Sequence, residues 1–344
     1  MLITILDDGN KYDGSSFESQ PLGGSQKAII KLAESFTTIG HVVRVFNNCE
    51  ESVVINGVSW KSIKNMDAAH SDVWIANNNP LLFNLISNNS KKILWLTSSG
   101  LKLVLPDYFS VTMQNRPTII YQGENHLDSI PDAVKSLNAA LISPGVSEVF
   151  LLESEFTPSI TPVALFTSHP LMGFDWVLDI WKSKIHTKIP WAELHVFSNI
   201  LVNFFSGKKV SDRYKDLIEK IIDHDKFNIK IRKPLIDKEM AEEIKGMRVH
   251  LFPSNKNEAG AYTLAESQAM GIPAVVRNLG VAPNRIINGK TGFVCNNKEE
   301  FAEYSIRFLE DNTSFTKASE ESKKNYRRSW NKVANEFLKV ISGI

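Results

Sequence analysis

The feature that most narrows what this chain can fold into is a repeated alternation of short apolar runs with helical stretches, in two consecutive series. The first series has strand signals at Leu2–Leu6, 42–46, 73–76, 93–96, Thr118–Tyr121 and 139–143. Between the first two lies a helix over 26–39, with Ala28, Ile29, Leu32, Ala33 and Phe36 on one face and Gly40 at its end. Val53–Ile55, Asn56-Gly57 and 58–60 read as a hairpin closed by an Asn-Gly turn. The second series has strands at 163–167, Glu193–Phe197, 228–231, Val249–Phe252, 274–276 and Gly292–Cys295, with helices over 173–182, 210–222 and 237–245. Strands alternating with helices predict parallel sheets with crossover connections, and 344 residues suffice for two such domains. The stretch 153–162, with two prolines and two threonines, is the expected linker. The last stretch, 314–341, predicts one long helix or a helix pair, with Trp330, Val333, Phe337 and Val340 at helical spacing.

Charge excludes one broad class. Basic and acidic residues number 39 and 38, so the chain as a whole does not bind nucleic acid by its net field. Two cysteines, Cys49 and Cys295, stand far apart and next to no metal-ligand spacing, which argues for a reducing compartment and against a zinc site. The opening MLITILDDGN has no basic n-region and reads as a first strand, not a signal peptide. No run approaches the length of a membrane-spanning helix. A cytoplasmic protein is expected, at the inner membrane face if its acceptor is membrane-bound.

The chemistry concentrates in LFPSNKNEAGAYTLAESQAMGIPAVV, from Leu251 to Val276. A strand ends at Pro253-Ser254, a polar loop follows, and a helix over 263–270 is stopped by Gly271 and Pro273. Glu258 then lies on a loop at a strand's carboxyl edge and Glu266 in the first turn of the next helix. Glu266 has a purely local reading, as the partner of Thr263 in a capping box. Glu258, flanked by Asn257 and Gly260, has no such local task. With the AMGIP turn and the later GKTGFV, the segment resembles the E-x7-E signature of the retaining glycosyltransferases of GT-B fold, the group 1, family 4-like glycosyl transferases.

That resemblance implies two Rossmann-like α/β domains facing each other across a cleft. The acceptor side would be 1–156, the nucleotide-sugar side 163–325, and 326–344 a closing helix that runs back to the first domain. It implies that Glu258 holds hydroxyls of the donor sugar as the catalytic residue and Glu266 the ribose, with Ala261, Tyr262 and Thr263 beside them. Gly23 and Gly24, in LGGSQ before the first helix, would face the donor diphosphate, since adjacent glycines let backbone N–H groups approach an anion. The loop with Arg232 and Lys233 would cup the nucleobase, and Gly173 would open the second domain's first helix.

Two departures stand out. Relatives place an Arg and then a Lys in the loop after the second domain's first strand, to clamp the diphosphate. Here Ser168 and Met172 occupy those places in TSHPLMG, and His169 would help only if protonated. Relatives also carry a His after the strand at 93–96, where this chain has Thr97-Ser98-Ser99-Gly100. Thr97 and Ser98 offer hydroxyls to a sugar, and His126 is a substitute imidazole. Asn77-Asn78-Asn79 could face the acceptor or simply form a turn.

The main expectation is a hexosyl-type glycosyltransferase that retains configuration and takes a nucleoside diphosphate sugar as donor substrate. The resemblance implies that it would use no metal and no cofactor, and Asp7-Asp8-Gly9, which lacks D-x-D spacing, is consistent with that. The acceptor would be a carbohydrate, a lipid-linked molecule or a protein, in polysaccharide, lipopolysaccharide or glycoconjugate synthesis. Lys323, Lys324, Arg327 and Arg328 would give peripheral membrane contact with anionic headgroups, or be the wet side of an amphipathic helix. The missing clamp and missing His motivate the alternative, a catalytically weak or silent nucleotide-sugar-binding partner subunit. A nucleotide-sugar epimerase on the same fold is a third reading.

Overall fold

The computed structural model describes residues 1–66, 70–86, 90–152 and 161–343. The expected linker therefore lies, over 153–160, outside the described residues. The chain forms two compact units. The first comprises Met1–Ser147, Asn257–Gly260 and Arg328–Ile344, the second Glu148–Lys256 and Ala261–Arg327. Both are α/β with predominantly or wholly parallel sheets, as the alternation predicts.

The first unit holds strands β1 (Leu2–Leu6), β2 (Val42–Asn47), β3 (Val53–Ile55), β4 (Val58–Ser62), β5 (Val73–Asn77), β6 (Lys91–Trp95), β7 (Thr118–Tyr121) and β8 (Ala139–Leu141). Their order is β3-β4-β2-β1-β5-β6-β7-β8, and only β3 with β4 runs antiparallel. The Asn-Gly turn of that hairpin is as expected: Asn56 and Gly57 have φ of 50° and 77°, the left-handed pair that a two-residue turn needs. Central strands are apolar on both faces because helices cover both, and every residue of β5 is buried. Ile5 lies between Val45 of β2 and Ile75 of β5.

The helix Gly24–Thr38 buries Ala28, Ile29, Leu32, Ala33 and Phe36, the face its periodicity marks. The carboxy-terminal stretch is a pair, Asn312–Tyr326 and Trp330–Ser342, broken at residues 327–329. Ser329 caps the second of these by accepting from the Lys332 N–H at 3.3 Å. Phe337 meets Phe36 and Trp95 edge-on, at 6.1 and 5.3 Å between ring centroids, so the helix Trp330–Ser342 closes one face of the first sheet.

The second unit holds β9 (Val163–Phe166), β10 (Glu193–Phe197), β11 (Ile229–Arg232), β12 (Val249–Phe252), β13 (Ala274–Arg277) and β14 (Gly292–Cys295), in the order β11-β10-β9-β12-β13-β14 and all parallel. Its core is built on Phe166, Phe174, Trp181, Val196, Leu251 and Phe301. Pro106–Asn115 of the first unit escapes the sequence reading, and in this unit two helices do, Asn199–Phe205 and Lys298–Glu310. The second had a legible signal: Asn297 accepts from the Glu300 N–H at 2.8 Å, and its own amide donates to Glu300 at 3.0 Å. No helix among the described residues is long and apolar enough to cross a membrane.

The aromatic contacts of Phe337 give a stability prediction. Phe337→Ala leaves a cavity against Phe36 and Trp95 and should lower the unfolding free energy of the first unit by about 3–5 kcal/mol. Urea titration followed by tryptophan fluorescence reads this. A loss under about 1 kcal/mol would mean that the helix does not close the sheet.

Candidate functional site

An open parallel sheet binds ligands outside the carboxyl ends of its strands, where the chain order reverses and two successive loops part in opposite directions. In the first sheet that point lies between β1 and β5. Their loops, with the start of the Gly24–Thr38 helix and the loop after β6, line a cavity of about 530 Å³. Asp7, Asp8, Gly23, Gly24, Asn78 and Ser98 are among its walls.

The wall is a continuous hydrogen-bonded chain. Tyr12 donates to Asp7 Oδ2 at 2.9 Å, and Asn77 Nδ2 donates to Asp7 Oδ1 at 2.8 Å. Thr97 Oγ1 donates to Asn77 Oδ1 at 2.7 Å and accepts from Asn78 Nδ2 at 2.7 Å. Ser25 Oγ lies 2.6 Å from Thr97 Oγ1 and, with the Thr97 proton already given to Asn77, must be the donor. Asn78, held at φ 57°, accepts from the N–H groups of Thr97 and Ser98 at 2.8 and 2.9 Å. Asn79 Nδ2 reaches Asp8 Oδ2 at 2.6 Å and ties the two loops. Burial raises the Asp7 pKa above the usual carboxylate range, opposed by the bonds from Asn77 and Tyr12 and reinforced by Asp8. Burial and the Asp7 charge push the Tyr12 phenol well up.

This geometry re-sorts the expected residues. Gly23 caps the helix and Gly24 begins it, so a helix amino terminus opens on the cavity. Nothing inside the chain demands a glycine at 23, since an added Cβ would meet only Gln26 Oε1, at 3.3 Å. Ser98 is exposed on the wall. Thr97 is a correction: its hydroxyl is filled by three internal bonds and it positions the loop. His126 is another. It is 1% exposed, its Nδ1 accepts from the Gln122 N–H at 3.1 Å, and its Nε2 donates to the Ser98 carbonyl at 3.0 Å. Both ring nitrogens are engaged, so it braces the loop that carries Ser98 and offers no ring nitrogen to a ligand. Sequence reasoning missed Asp7, Asp8 and Ser25. Their signal was two carboxylates directly after a first strand, set aside because their spacing is wrong for a metal motif.

In the second sheet the order reverses between β9 and β12, and the loops that follow them pack together. Gly173 has φ 90°, and a Cβ there would come within 2.9 Å of Pro253. Asn255 Nδ2 lies 3.1 Å from the Met172 sulfur. His250 fastens both loops from below: Nδ1 bonds Ser267 Oγ at 2.8 Å and Nε2 bonds Thr167 Oγ1 at 3.1 Å. Because Ser267 donates to the Leu264 carbonyl, His250 Nδ1 carries the proton and Nε2 accepts.

The helix after β12 runs Tyr262–Ala269, with Ala261 as its cap at φ 50° and no side-chain cap bond. The expected capping box is therefore overturned. Thr263 lies inside the helix, and Glu266 sits past the first turn, buried at 8% exposure. The left-handed Ala261 turns the chain into the helix before Thr263 is reached. Glu258 is half-buried on the loop, in the segment Asn257–Gly260 that belongs to the first unit, so the motif's two glutamates fall in different units. The Arg232 guanidinium is paired with Glu243, while Lys233 is exposed. His169 is held neutral in character, its pKa lowered by burial and then by Arg213. Of the basic cluster, Arg327 donates to the Leu151 carbonyl and Arg328 pairs with Glu336, so the two arginines bind the protein itself.

The fold and these loops define a class. The two units together have the GT-B architecture, and the chain superposes on sucrose-phosphate synthase from Thermosynechococcus elongatus with a TM-score of 0.77 at 12% identity, covering 99% of this chain and 98% of that one. HepE of Anabaena, solved with UDP-glucose, gives 0.74 at 12% identity over 100% of both chains. WaaG, a glycosyltransferase involved in lipopolysaccharide biosynthesis, gives 0.67 at 12% identity, over 99% of this chain and 100% of that one. Residues 194–328 match the family model described as Glycosyl transferases group 1, and the likeness of the whole chain to these solved structures is one of fold. No curated protein sequence matches it.

The His250 geometry makes a pH prediction. Burial lowers its pKa from 6.5 to about 3. The folded state keeps it neutral where the unfolded chain takes up a proton. Its contribution to stability is therefore complete above pH 6.5 and is lost as pH falls from there toward 3. His250→Gln should be less stable than wild type at neutral pH, and the difference should shrink steadily toward pH 4, read from urea midpoints. A difference that stays constant across this range would contradict the buried neutral imidazole.

Proposed function

We propose that this protein transfers a hexose-type sugar from a nucleoside diphosphate sugar to an acceptor hydroxyl, with retention of configuration and without a metal. The observation that carries the reading is the E-x7-E segment, which starts in the loop after β12 at the reversal point of the second sheet and lies inside the matched region 194–328. The donor's nucleotide belongs with the second unit, on the loops after β9 and β12, with Ala261, Tyr262, Thr263 and Glu266 at the helix start. Glu258 holds the sugar hydroxyls. Gly23 and Gly24 offer backbone N–H groups to phosphate oxygens.

The cavity of the first unit suits the acceptor. Asp7, Asp8, Asn78 and Ser98 present carboxylate, amide and hydroxyl groups, the partners that hold a polyol. As the new bond forms, the acceptor proton passes to the leaving phosphate oxygen, so the chain's contribution is position and charge. The UDP-glucose in HepE supports a UDP-sugar as the first donor to try, and the role of WaaG supports an acceptor in lipopolysaccharide or a related glycoconjugate.

Glu258 provides the test. Glu258→Gln keeps size but turns one acceptor oxygen into a donor, and removes charge-assisted bonds worth roughly 1.5–3 kcal/mol each. Transfer measured as kcat/KM with a UDP-, GDP-, ADP- or TDP-sugar should fall by on the order of 30- to 1000-fold, with the thermal midpoint unchanged within about 2 °C. A variant that unfolds yet transfers normally when folded would remove Glu258 from the site. A wild-type protein that is stabilised by the donor but never transfers or hydrolyses it would instead be a binding subunit.

A further inference from the structure

The loop after β9, at the reversal point of the second sheet, carries no lysine or arginine. Ser168 and Met172 are neutral, and the His169 pKa is lowered. Two phosphate charges brought to such an edge without a cation carry a large desolvation penalty. Of the cations at the carboxyl edge, Arg232 is paired with Glu243, and Arg277 lies over the Trp176 ring at 4.6 Å. Lys233 and Lys256 are exposed, and no hydrogen bond fixes either among the described residues.

One arginine arrives from elsewhere in the chain. Tyr214, 3% exposed, ends the single 3₁₀ turn Asp212–Tyr214 that leads into the helix Lys215–Ile221. Its hydroxyl lies 3.2 Å from His169 Nε2 and accepts from Arg213 Nη2 at 2.7 Å. His169 in turn accepts the Leu171 N–H on Nδ1 at 3.2 Å, which fixes its ring and leaves Nε2 for the Tyr214 contact. The Arg213 guanidinium is thus fastened, through one phenol, to the His169–Gly173 loop. It is solvent-exposed, its one hydrogen-bond partner is a neutral hydroxyl, and no carboxylate pairs with it among the described residues. Three requirements of a phosphate ligand are met together: full charge, a fixed position and N–H groups left over.

We infer that Arg213, positioned by Tyr214 and His169, supplies the charge that binds the donor's diphosphate in this chain. The inference rests on the donor reading above, and the test separates the two. Calorimetric titration of wild type with UDP, GDP, ADP and TDP, and with the matching nucleosides, first identifies a binding nucleotide. If none of the four binds, the donor reading itself fails. With the nucleotide that binds, Arg213→Ala should weaken the diphosphate by about 10- to 100-fold and leave the nucleoside unchanged, with a shallower salt dependence. Arg213→Lys should recover part of the affinity, since it keeps the charge but not the fork. Tyr214→Phe, which keeps the ring and frees the guanidinium, should cost a smaller factor and again spare the nucleoside. Lys188→Ala, an exposed charge outside those loops, serves as a control and should change affinity less than threefold. Equal diphosphate affinity in wild type and Arg213→Ala, or equal losses for nucleoside and diphosphate, would overturn the assignment.

Discussion

Everything in this molecule follows from the return path that a parallel strand requires. Two parallel neighbours cannot be joined by a tight turn, so the chain must cross a face of the sheet, and it does so with one hand. A sheet built outward from its first strand in one direction, then in the other, must reverse once. Each unit does so beside its opening strand, at β1 and β5 and at β9 and β12. At each reversal two loops diverge and leave a gap that no helix fills. The positions of Asp7, Asn78, Gly173 and Pro253 are consequences of that geometry before they are anything chemical.

What occupies the gap differs between the units. The first sheet lines it with a buried polar chain, Tyr12–Asp7–Asn77–Thr97–Ser25. Burying such groups unpaired would cost roughly 1–3 kcal/mol apiece, so the arrangement persists only because each bond is answered. Thr97 spends its single proton and both lone pairs internally, which is why a hydroxyl that looks like a ligand in sequence is a brace in structure. The unspent capacity falls to the outer members, Asp8 and Ser98. A cradle stiffened from behind in this way holds its exposed acceptors in place before a ligand arrives, which lowers the ordering entropy that binding must overcome.

The sequence was informative where period and turn chemistry act locally. All fourteen strands among the described residues were marked by apolar runs, with ends off by a residue or two, and the Asn56-Gly57 turn was read from two letters. Asn199–Phe205 was missed because NILVNFF has no clear period and its start depends on one Ser198 bond. Candidate site residues could be named when they stood in a compact string, as Glu258 and Glu266 do. They were not when their meaning came from distant partners. His126 and Thr97 are opposite in appearance and alike in role, because both are consumed by bonds to residues beyond the reach of any local motif. Arg213 is invisible for the same reason. Its proposed role depends on a phenol one residue on and an imidazole 44 residues back.

Backbone strain marks the second edge independently of any motif. Ser254 and Ala261 both hold φ near +50°, and neither is a residue that tolerates it cheaply. Such conformations cost of order 1 kcal/mol each and survive only where surrounding structure over-determines them. Ser254 is held by its hydroxyl, which donates to the Leu279 carbonyl at 2.8 Å beyond β13. Ala261 is held by burial, at 2% exposure, against the cluster of Phe252, Leu264 and Val276. A relaxed start at Thr263 with a side-chain cap would satisfy the helix's first N–H groups from within. The start at Ala261 supplies no side-chain cap of its own. Two strained residues thus bracket Glu258, each held by contacts of its own. Backbone held in costly conformations on both sides of a loop fixes that loop in one shape, which agrees with the proposed place of Glu258 in a binding site.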